Sequence, residues 1–151
     1  MKLSLVSIAP PTRASGKAPA QLLAREYTER STRLLPCEMI SYVSESAFFE
    51  ALSRQNGRSA AQLCLFDRTG DQLASDEFAS YLSRVRDGGT QRMMVAIGPA
   101  DGWSEMALRR AHRVLSLGRM TLPHELARAV VAEQIYRALT IMAGHPYHLG
   151  H

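Results

Sequence analysis

Cysteine, tryptophan and long apolar runs are scarce in this sequence, and their scarcity excludes several protein classes. The 151 residues include two cysteines and one tryptophan. Cys37 and Cys64 lie in separate apolar stretches and form neither a CxxC pair nor a disulfide framework, so we expect free thiols. No apolar run reaches the roughly 18 residues of a membrane-spanning helix, and "MKLSLVSIAP" is too short and interrupted for a secretory signal. The sequence thus predicts a cytoplasmic protein without a membrane span.

Acidic residues are outnumbered by basic ones. The 18 Lys and Arg against 14 Asp and Glu give a formal net charge of +4. This balance favours an anionic partner, and nucleic acid is the first choice because each Lys or Arg set against a phosphate releases counterions. Many basic proteins bind no polyanion, so charge alone leaves the partner open. The hydrophobic content of 46% and the length predict one folded domain over residues 1–151.

Short β-type runs alternate with helical runs along the chain. Strands are predicted over "KLSLVSI", "CEMISYV", "AQLCLF" and "RMMVAI". Helices are predicted over "APAQLLAREYTERSTRLL", "SESAFFEALSRQNG", "SDEFASYLSRVRDGG", from Ser104 to about Leu115, and from about His124 to Ala143, with Ser44, Ser75 and Ser104 as caps. "DRTGD" is predicted as a turn, and "GRMTL" as an extended piece.

This alternation predicts an α/β fold: a single domain with a mainly parallel sheet flanked by helices. In such sheets ligands bind beyond the carboxyl ends of the strands. The predicted ends are the turns after Phe66, Ile97 and Leu122.

The stretch "AIGPADGW" ends a predicted strand in glycine, which lets a ligand approach the backbone closely. It is neither a GxGxxG fingerprint nor a phosphate loop, since no GK[ST] follows. Taken alone, it is typical of a tight strand-to-helix turn.

The stretch "LSLGRMTLPHELARAVVAEQIYRA" offers main-chain groups before Pro123 that could hold an adenine-sized ring. In the helix that follows, Glu133 and Arg137 are spaced as a surface ion pair, and Arg128 is most simply a solvated or snorkelling side chain. Apolar residues surround most of this helix, which indicates burial by its own sheet and by a second subunit.

The chain closes with "GHPYHLGH", which holds three of its five histidines. A zinc site is disfavoured because Pro146 breaks helical geometry and no Cys, Asp or Glu is near in sequence. A frayed terminus is one alternative. The other is a functional tail, since Tyr147 can stack on a base and His148 can handle a proton near neutral pH.

These stretches together resemble a known family. "TLPHELARAVVAEQIYRA" followed by "GHPYH" resembles the C-terminal signature of the trefoil-knotted SPOUT methyltransferases, and within them the RlmH-type enzymes that methylate N3 of a pseudouridine in 23S ribosomal RNA. The order of elements agrees from Met1 onward. The resemblance implies S-adenosylmethionine as methyl donor, a homodimer, a C-terminal trefoil knot, 23S rRNA within the ribosome as partner, and no metal.

By position, the resemblance assigns a cofactor pocket formed by three knotted loops, whose residues here are Phe66, Gly98, Leu117, Gly118, Arg119, Met120, Thr121 and Leu122. The catalytic candidates are Tyr147, His148 and Arg137. The RNA-binding candidates are Arg54, Arg58 and Arg128.

The sequence departs from the family pattern in three places. Pro99 replaces the usual second glycine and removes a backbone N–H. The segment between the second and third strands is shorter and less basic than is common, and Leu149 stands where a basic residue is usual. Two alternatives therefore remain: a non-catalytic ribosome- or RNA-binding protein with the same fold, and a nucleotide-binding α/β protein acting on a small molecule.

Overall fold

Helices and strands alternate along the chain, as the sequence pattern predicts. The computed structural model describes residues 1–9, 18–55, 57 and 59–150. Its elements are β1 (Lys2–Ile8), α1 (Pro19–Ser31), β2 (Cys37–Tyr42), α2 (Glu45–Ser53), β3 (Gln62–Asp71), α3 (Ser75–Asp87), β4 (Arg92–Ile97), α4 (Glu105–Arg110), β5 (Arg113–Leu115), α5 (His124–Met142) and a 3-10 helix (Pro146–Gly150).

The strands form one five-stranded sheet in the order β2-β1-β4-β3-β5. Every neighbouring pair is parallel. The predicted α/β fold with a parallel sheet is therefore confirmed. Within the described residues, no helix has the length and apolar character needed to cross a bilayer.

Helices cover both faces of the sheet. On β1, Leu3 and Leu5 join a core cluster with α1, α3 and α5, while Val6 and Ile8 join a second cluster with α2 and α4. Successive side chains of a strand point to opposite faces, so each face receives every other residue. Burial on both faces explains why "RMMVAI" reads as a continuous apolar run.

Two of the three helix caps predicted from the sequence are confirmed. The Ser44 and Ser104 hydroxyls accept hydrogen bonds from backbone N–H groups in the first turns of α2 and α4, as predicted. Ser75 is not a cap but the first residue of α3, whose N-cap is Ala74. The Glu77 carboxylate reaches back to accept the Ala74 N–H at 2.6 Å, which is the glutamate half of a capping box.

Two further predictions were wrong near the sheet edge. "DRTGD" is the second half of β3, with a register shift between Phe66 and Asp71, and not a turn. The helix after Ser104 ends at Arg110, and β5 follows where we expected more helix. The reason is tertiary: the His112 N–H donates to the Leu63 carbonyl, and the His112 ring accepts the Leu63 N–H, both at 2.9 Å. The third strand end is therefore Leu115 rather than Leu122.

The second half of β3 passes very close to β5. A Cβ atom added at Gly70 would lie 2.5 Å from the Leu115 carbonyl carbon. The neighbouring Asp71 carbonyl accepts the Ser116 N–H at 2.8 Å. Only a residue without a side chain fits this crossing.

Gly70→Ala should lower the free energy of unfolding by about 2–3 kcal/mol, because the added methyl group meets backbone that cannot rotate away. Urea unfolding followed by circular dichroism measures the change. Gly150→Ala is the matched control, since a Cβ at Gly150 meets nothing within 4 Å. Equal stability of the two variants would contradict the tight crossing.

Candidate functional site

Three neighbouring strands come to the same level at one edge of the sheet. Phe66 of β3 pairs with Ile97, the last residue of β4, and with Leu115, the last residue of β5. Neighbouring strands lie about 4.8 Å apart, so the loops after β4 and β5 start close to Phe66, where the register of β3 shifts. Phe66 and these two loops contain all the cofactor-binding residues predicted from the sequence.

Trp103 links Phe66 of β3 to the turn that follows β4. Its indole Nε1–H donates to the Phe66 carbonyl at 3.0 Å, and the ring packs so closely on Gly98 that a Cβ there would lie 2.7 Å from Nε1. Between them the Pro99 carbonyl accepts the Gly102 N–H at 2.9 Å, which closes a tight turn. This turn is closed by the Pro99 carbonyl, so it does not need the backbone N–H that proline lacks.

The loop after β5 presents free main chain. Its start is anchored by Ser116, which is buried and whose hydroxyl bonds the Gly118 backbone at 3.1 Å. Gly118 has φ of +126°, a conformation that favours glycine. Within the described part of the chain, the N–H and C=O groups of residues 119–122 make no hydrogen bond. Such a loop can bond a heterocyclic ring through its backbone.

His124 begins α5 beside the end of β4. Burial and the nearby charge of Arg128 lower its pKa from 6.5, while the Ile97 and Gly98 backbones and Glu125 oppose the shift. Its Nε2 atom is buried and has no partner among the described residues. Burial thus favours the neutral form of the ring, which lies beside the Gly98 turn.

The C-terminal tail is folded onto α5. The Tyr147 hydroxyl donates to a Glu133 carboxylate oxygen at 3.1 Å, and Arg137 donates to the same oxygen at 2.6 and 2.9 Å. The Tyr147 ring packs edge-on against Tyr136 at 4.8 Å between ring centroids, and Arg137 lies over it. The frayed-end alternative is thus disfavoured for residues 146–150.

Charge and burial shape this tail cluster. Glu133 and Arg137 form the predicted ion pair, but their side chains are only 18% and 14% exposed, so the pair is not a surface one. Its hydrogen bond with Glu133 raises the pKa of Arg137. Burial, followed by hydrogen bonds to Tyr27 and Glu133, raises the pKa of Tyr147.

His148 accepts a hydrogen bond at Nδ1 from Arg137, 3.2 Å away. A guanidinium group can only donate, so Nδ1 must be the acceptor and a neutral ring carries its proton on Nε2. In this arrangement His148 offers a hydrogen-bond donor to a ligand.

Comparison with known proteins identifies the family. A family model described as "Predicted SPOUT methyltransferase" matches residues 1–148. The chain belongs to the SPOUT methyltransferases. Two curated relatives, each called "Ribosomal RNA large subunit methyltransferase H", place it with the RlmH-type members. The Koribacter versatilis protein is 48% identical over 131 residues, with 87% of this chain and 89% of the relative covered. The Sinorhizobium fredii protein is 40% identical over 144 residues, with 86% and 90% covered.

Solved structures agree with this SPOUT assignment at the level of the fold. The SpoU methyltransferase AviRb from Streptomyces viridochromogenes, in complex with AdoMet, has a TM-score of 0.52 and 13% identity, and covers 95% of this chain. This chain spans only 59% of AviRb. A probable methylase family protein from Haemophilus influenzae has a TM-score of 0.55 and 10% identity, with 98% of this chain and 69% of that chain covered.

Within this chain the predicted cofactor loops lie side by side, whereas the C-terminal tail lies elsewhere on α5. Arg137 lies roughly three and a half helical turns after His124, which is about 20 Å along the axis of α5. Glu133, which bonds Tyr147, lies about 14 Å along the axis from His124, so the tail cluster covers the middle and second half of α5. The catalytic and cofactor-binding candidates therefore form two separate groups within one subunit.

The RNA-binding candidates are scattered. Arg54 is exposed on α2 and pairs with Glu50, so its charge is already compensated. Arg58 lies outside the described residues. Arg128 is half-buried on α5, and its Nη1 donates to the Ser7 hydroxyl at 3.4 Å. Arg128 therefore lies near the sheet edge that carries the loops, because Ser7 pairs with Ile97 at the end of β4.

The possible metal ligands and the two thiols lie apart from one another among the described residues. Residues 1–9, 18–55, 57 and 59–150 contain no group of three His, Cys, Asp or Glu that could hold a metal ion. His151 lies outside the described residues. Cys37 and Cys64 are free, as predicted, and burial raises the pKa of each thiol to about 12.

Sequence reasoning missed Trp103 and His124. The signals were present: Trp103 is the single tryptophan, placed just after the glycine turn, and His124 follows the proline that starts α5. Neither signal says what the side chain touches, because both contacts join residues far apart in the chain.

His124 should make stability depend on pH. Folding lowers its pKa below 6.5, so the unfolded chain binds more protons and the contribution of the neutral ring is lost as pH falls below about 6.5. Unfolding by urea at pH 7.5, 6.5 and 5.5 should show a steeper loss of stability in wild type than in His124→Asn, which cannot titrate. Parallel curves for the two proteins would contradict a lowered pKa.

Proposed function

We propose that this chain is an S-adenosylmethionine-dependent methyltransferase of large-subunit ribosomal RNA, acting on N3 of a pseudouridine in 23S rRNA. The observation that carries the proposal is the position of the loops after β4 and β5 on either side of Phe66, which pairs with both Ile97 and Leu115. Relatives named as methyltransferases of ribosomal RNA support the substrate. The whole chain, 1–151, then acts as one cytoplasmic SPOUT domain.

The residues present fit the proposed cofactor. The unbonded main chain of residues 119–122 suits an adenine ring, and the Gly98 turn, which Trp103 packs against, borders the same place. Phe66 and Leu117 would supply apolar contacts. A bound AdoMet in the similar fold of AviRb agrees with this assignment. When bound, S-adenosylmethionine supplies an electrophilic methyl group on a sulfonium.

Orientation is the first contribution of the protein. Holding an acceptor nitrogen in line with a methyl donor can supply about 7–11 kcal/mol of the barrier in favourable cases. Here the loops that would hold the donor are clamped by Trp103 and by the Ser116–Asp71 bond. The trefoil knot implied by the family agrees with the close passage of Gly70 along Leu115.

The imide acceptor must also lose a proton. The tautomer that Arg137 imposes leaves the His148 Nε2–H as a donor, which favours a role in stabilising the developing anion at a carbonyl oxygen. Tyr147 would stack on the base, and the Arg137 guanidinium would hold His148 in place. His148 acts as a base only if it leaves Arg137, since its Nδ1 lone pair is engaged.

A homodimer completes the site. The tail contacts α5 at Glu133 and Arg137, about 14 and 20 Å along the helix axis from His124, so we infer that it serves the loops of a second subunit. Leu22 and Leu23 on α1 and Leu126 on α5 are exposed apolar side chains that support such an interface.

A cofactor titration separates this proposal from its rivals. Calorimetry with S-adenosylmethionine should show saturable binding, whereas a pure ribosome-binding protein should show none. Mass mapping of 23S rRNA from a strain lacking the gene should then reveal one nucleotide without its methyl group, restored by the purified protein. Intact methylation of 23S rRNA in that strain would contradict the proposed function.

Loss of the tail histidine should impair turnover and spare cofactor affinity. His148→Ala should lower methylation about 100-fold, because one preorganised donor to a developing anion is worth that much or more. Single-turnover methylation and calorimetry measure the two properties. Unchanged turnover would remove His148 from the site.

A further experiment tests whether the tail of one subunit completes the cofactor site of the other. A Cβ atom added at Gly118 meets nothing within 4 Å, but valine is strained at a φ of +126°. Gly118→Val should therefore impair the cofactor loop and leave the fold intact. Heterodimers of Gly118→Val and His148→Ala chains should recover up to about half of wild-type activity if tails act across the dimer. Heterodimers as inactive as the parents would mean that each tail serves its own loops.

A further inference from the structure

A polar groove lies between α1 and β2 and is closed at one end by α5. Arg25 and Thr28 line it from α1, Ser41 lines it from β2, and Arg128 lines it from α5. Its volume is about 340 Å³, enough for a phosphate group with part of a nucleotide. No predicted site residue apart from Arg128 belongs to it.

The two arginines of this groove lack acidic partners. Arg25 is exposed and makes no hydrogen bond or ion pair with any described residue. The only hydrogen bond of the Arg128 guanidinium within the described chain is to the Ser7 hydroxyl at 3.4 Å, and its Nε atom is buried without a partner. By contrast, Arg30 on the same helix α1 pairs with Glu26.

The two guanidinium groups are also close to each other. Burial lowers the pKa of Arg128 first, and the positive charge of Arg25 lowers it further, while Glu125 opposes the shift. Glu29 is the acidic residue of the groove, but it forms no ion pair with either arginine. Two neighbouring cations that form no ion pair with a described residue, beside a buried N–H, favour an anion in the groove.

The groove opens beside the proposed cofactor loops. Ser7, which Arg128 contacts, pairs in register with Ile97 of β4 on one side and Ser41 of β2 on the other. Ile97 directly precedes the Gly98 turn, so one strand spacing of about 4.8 Å separates Ser7 from that strand end. An anion held by Arg25 and Arg128 would thus lie next to a base presented to the loops.

From this geometry we infer that the groove binds a backbone phosphate of the substrate RNA, at or beside the nucleotide to be methylated. The inference rests on the proposed function and deepens it. Arg128 and Arg25 present forked N–H groups that match phosphate oxygens, and the Ser41 hydroxyl borders them. The contact positions the RNA and reads no base.

The test compares Arg25→Gln and Arg128→Gln with Arg33→Gln. Arg33 is an exposed arginine just past the end of α1, makes no side-chain bond among the described residues and lies outside the groove, so it controls for net charge. The probe is the large ribosomal subunit purified from a strain lacking the gene, with binding measured over a range of salt concentrations. Melting temperature and the Kd for S-adenosylmethionine are measured for each variant.

Each groove variant should bind the subunit about tenfold more weakly, as expected for a lost charged hydrogen bond. The slope of log K against log salt should become shallower by about 0.7–0.9 for each arginine removed. Arg33→Gln should retain wild-type affinity and slope. Arg25 is exposed, so its variant gives an answer even if Arg128→Gln lowers the melting temperature.

Three results would overturn the inference. Equal affinities and slopes for Arg25→Gln and Arg33→Gln would remove the groove from RNA binding. A raised Kd for S-adenosylmethionine in Arg25→Gln or a stable Arg128→Gln would mean that the arginines hold the cofactor carboxylate instead. If the wild-type protein does not bind the subunit at all, the proposed function fails and this inference fails with it.

Discussion

The pairing of Phe66 with both Ile97 and Leu115 is the constraint on which the rest of this structure depends. It places the ends of β4 and β5 on either side of Phe66, so that the loops after these two strands start close together. Each of the two loops is held by a contact to β3: Trp103 to the Phe66 carbonyl, and Ser116 to the Asp71 carbonyl. A pocket made of main chain needs these contacts, because unsupported loops would lose conformational entropy when a ligand binds.

Helix α5 separates the two halves of the chemistry. Its first turn places His124 against the Gly98 turn, and its middle and second half carry Glu133 and Arg137, on which Tyr147 and His148 fold. The helix thus holds the two groups apart within one chain. This separation is the geometric reason for proposing that the tail acts on a second subunit.

The partners of the arginines distinguish structural from binding roles better than their positions in the sequence do. Arg54 and Arg137 each pair with a glutamate one turn away, whereas Arg25 and Arg128 face a groove and form no ion pair with a described residue. The sequence spacing predicted the Glu133–Arg137 pair but not its burial. It left Arg128 either as a solvated or snorkelling side chain or, through the family resemblance, as an RNA-binding candidate. Nothing local to Arg128 reveals that its neighbours in the groove come from α1 and β2.

The sequence by itself determined the α/β class, four of the five strands, the caps at Ser44 and Ser104, and the family, because apolar period, capping chemistry and motif are local properties of the chain. It did not predict β5, the extension of β3 through Gly70, or the indole clamp of Trp103. These features depend on contacts between residues distant in sequence, such as the paired hydrogen bonds of His112 with Leu63. Only the tertiary structure decided them, because long-range packing overrides the weak local preference of a short segment.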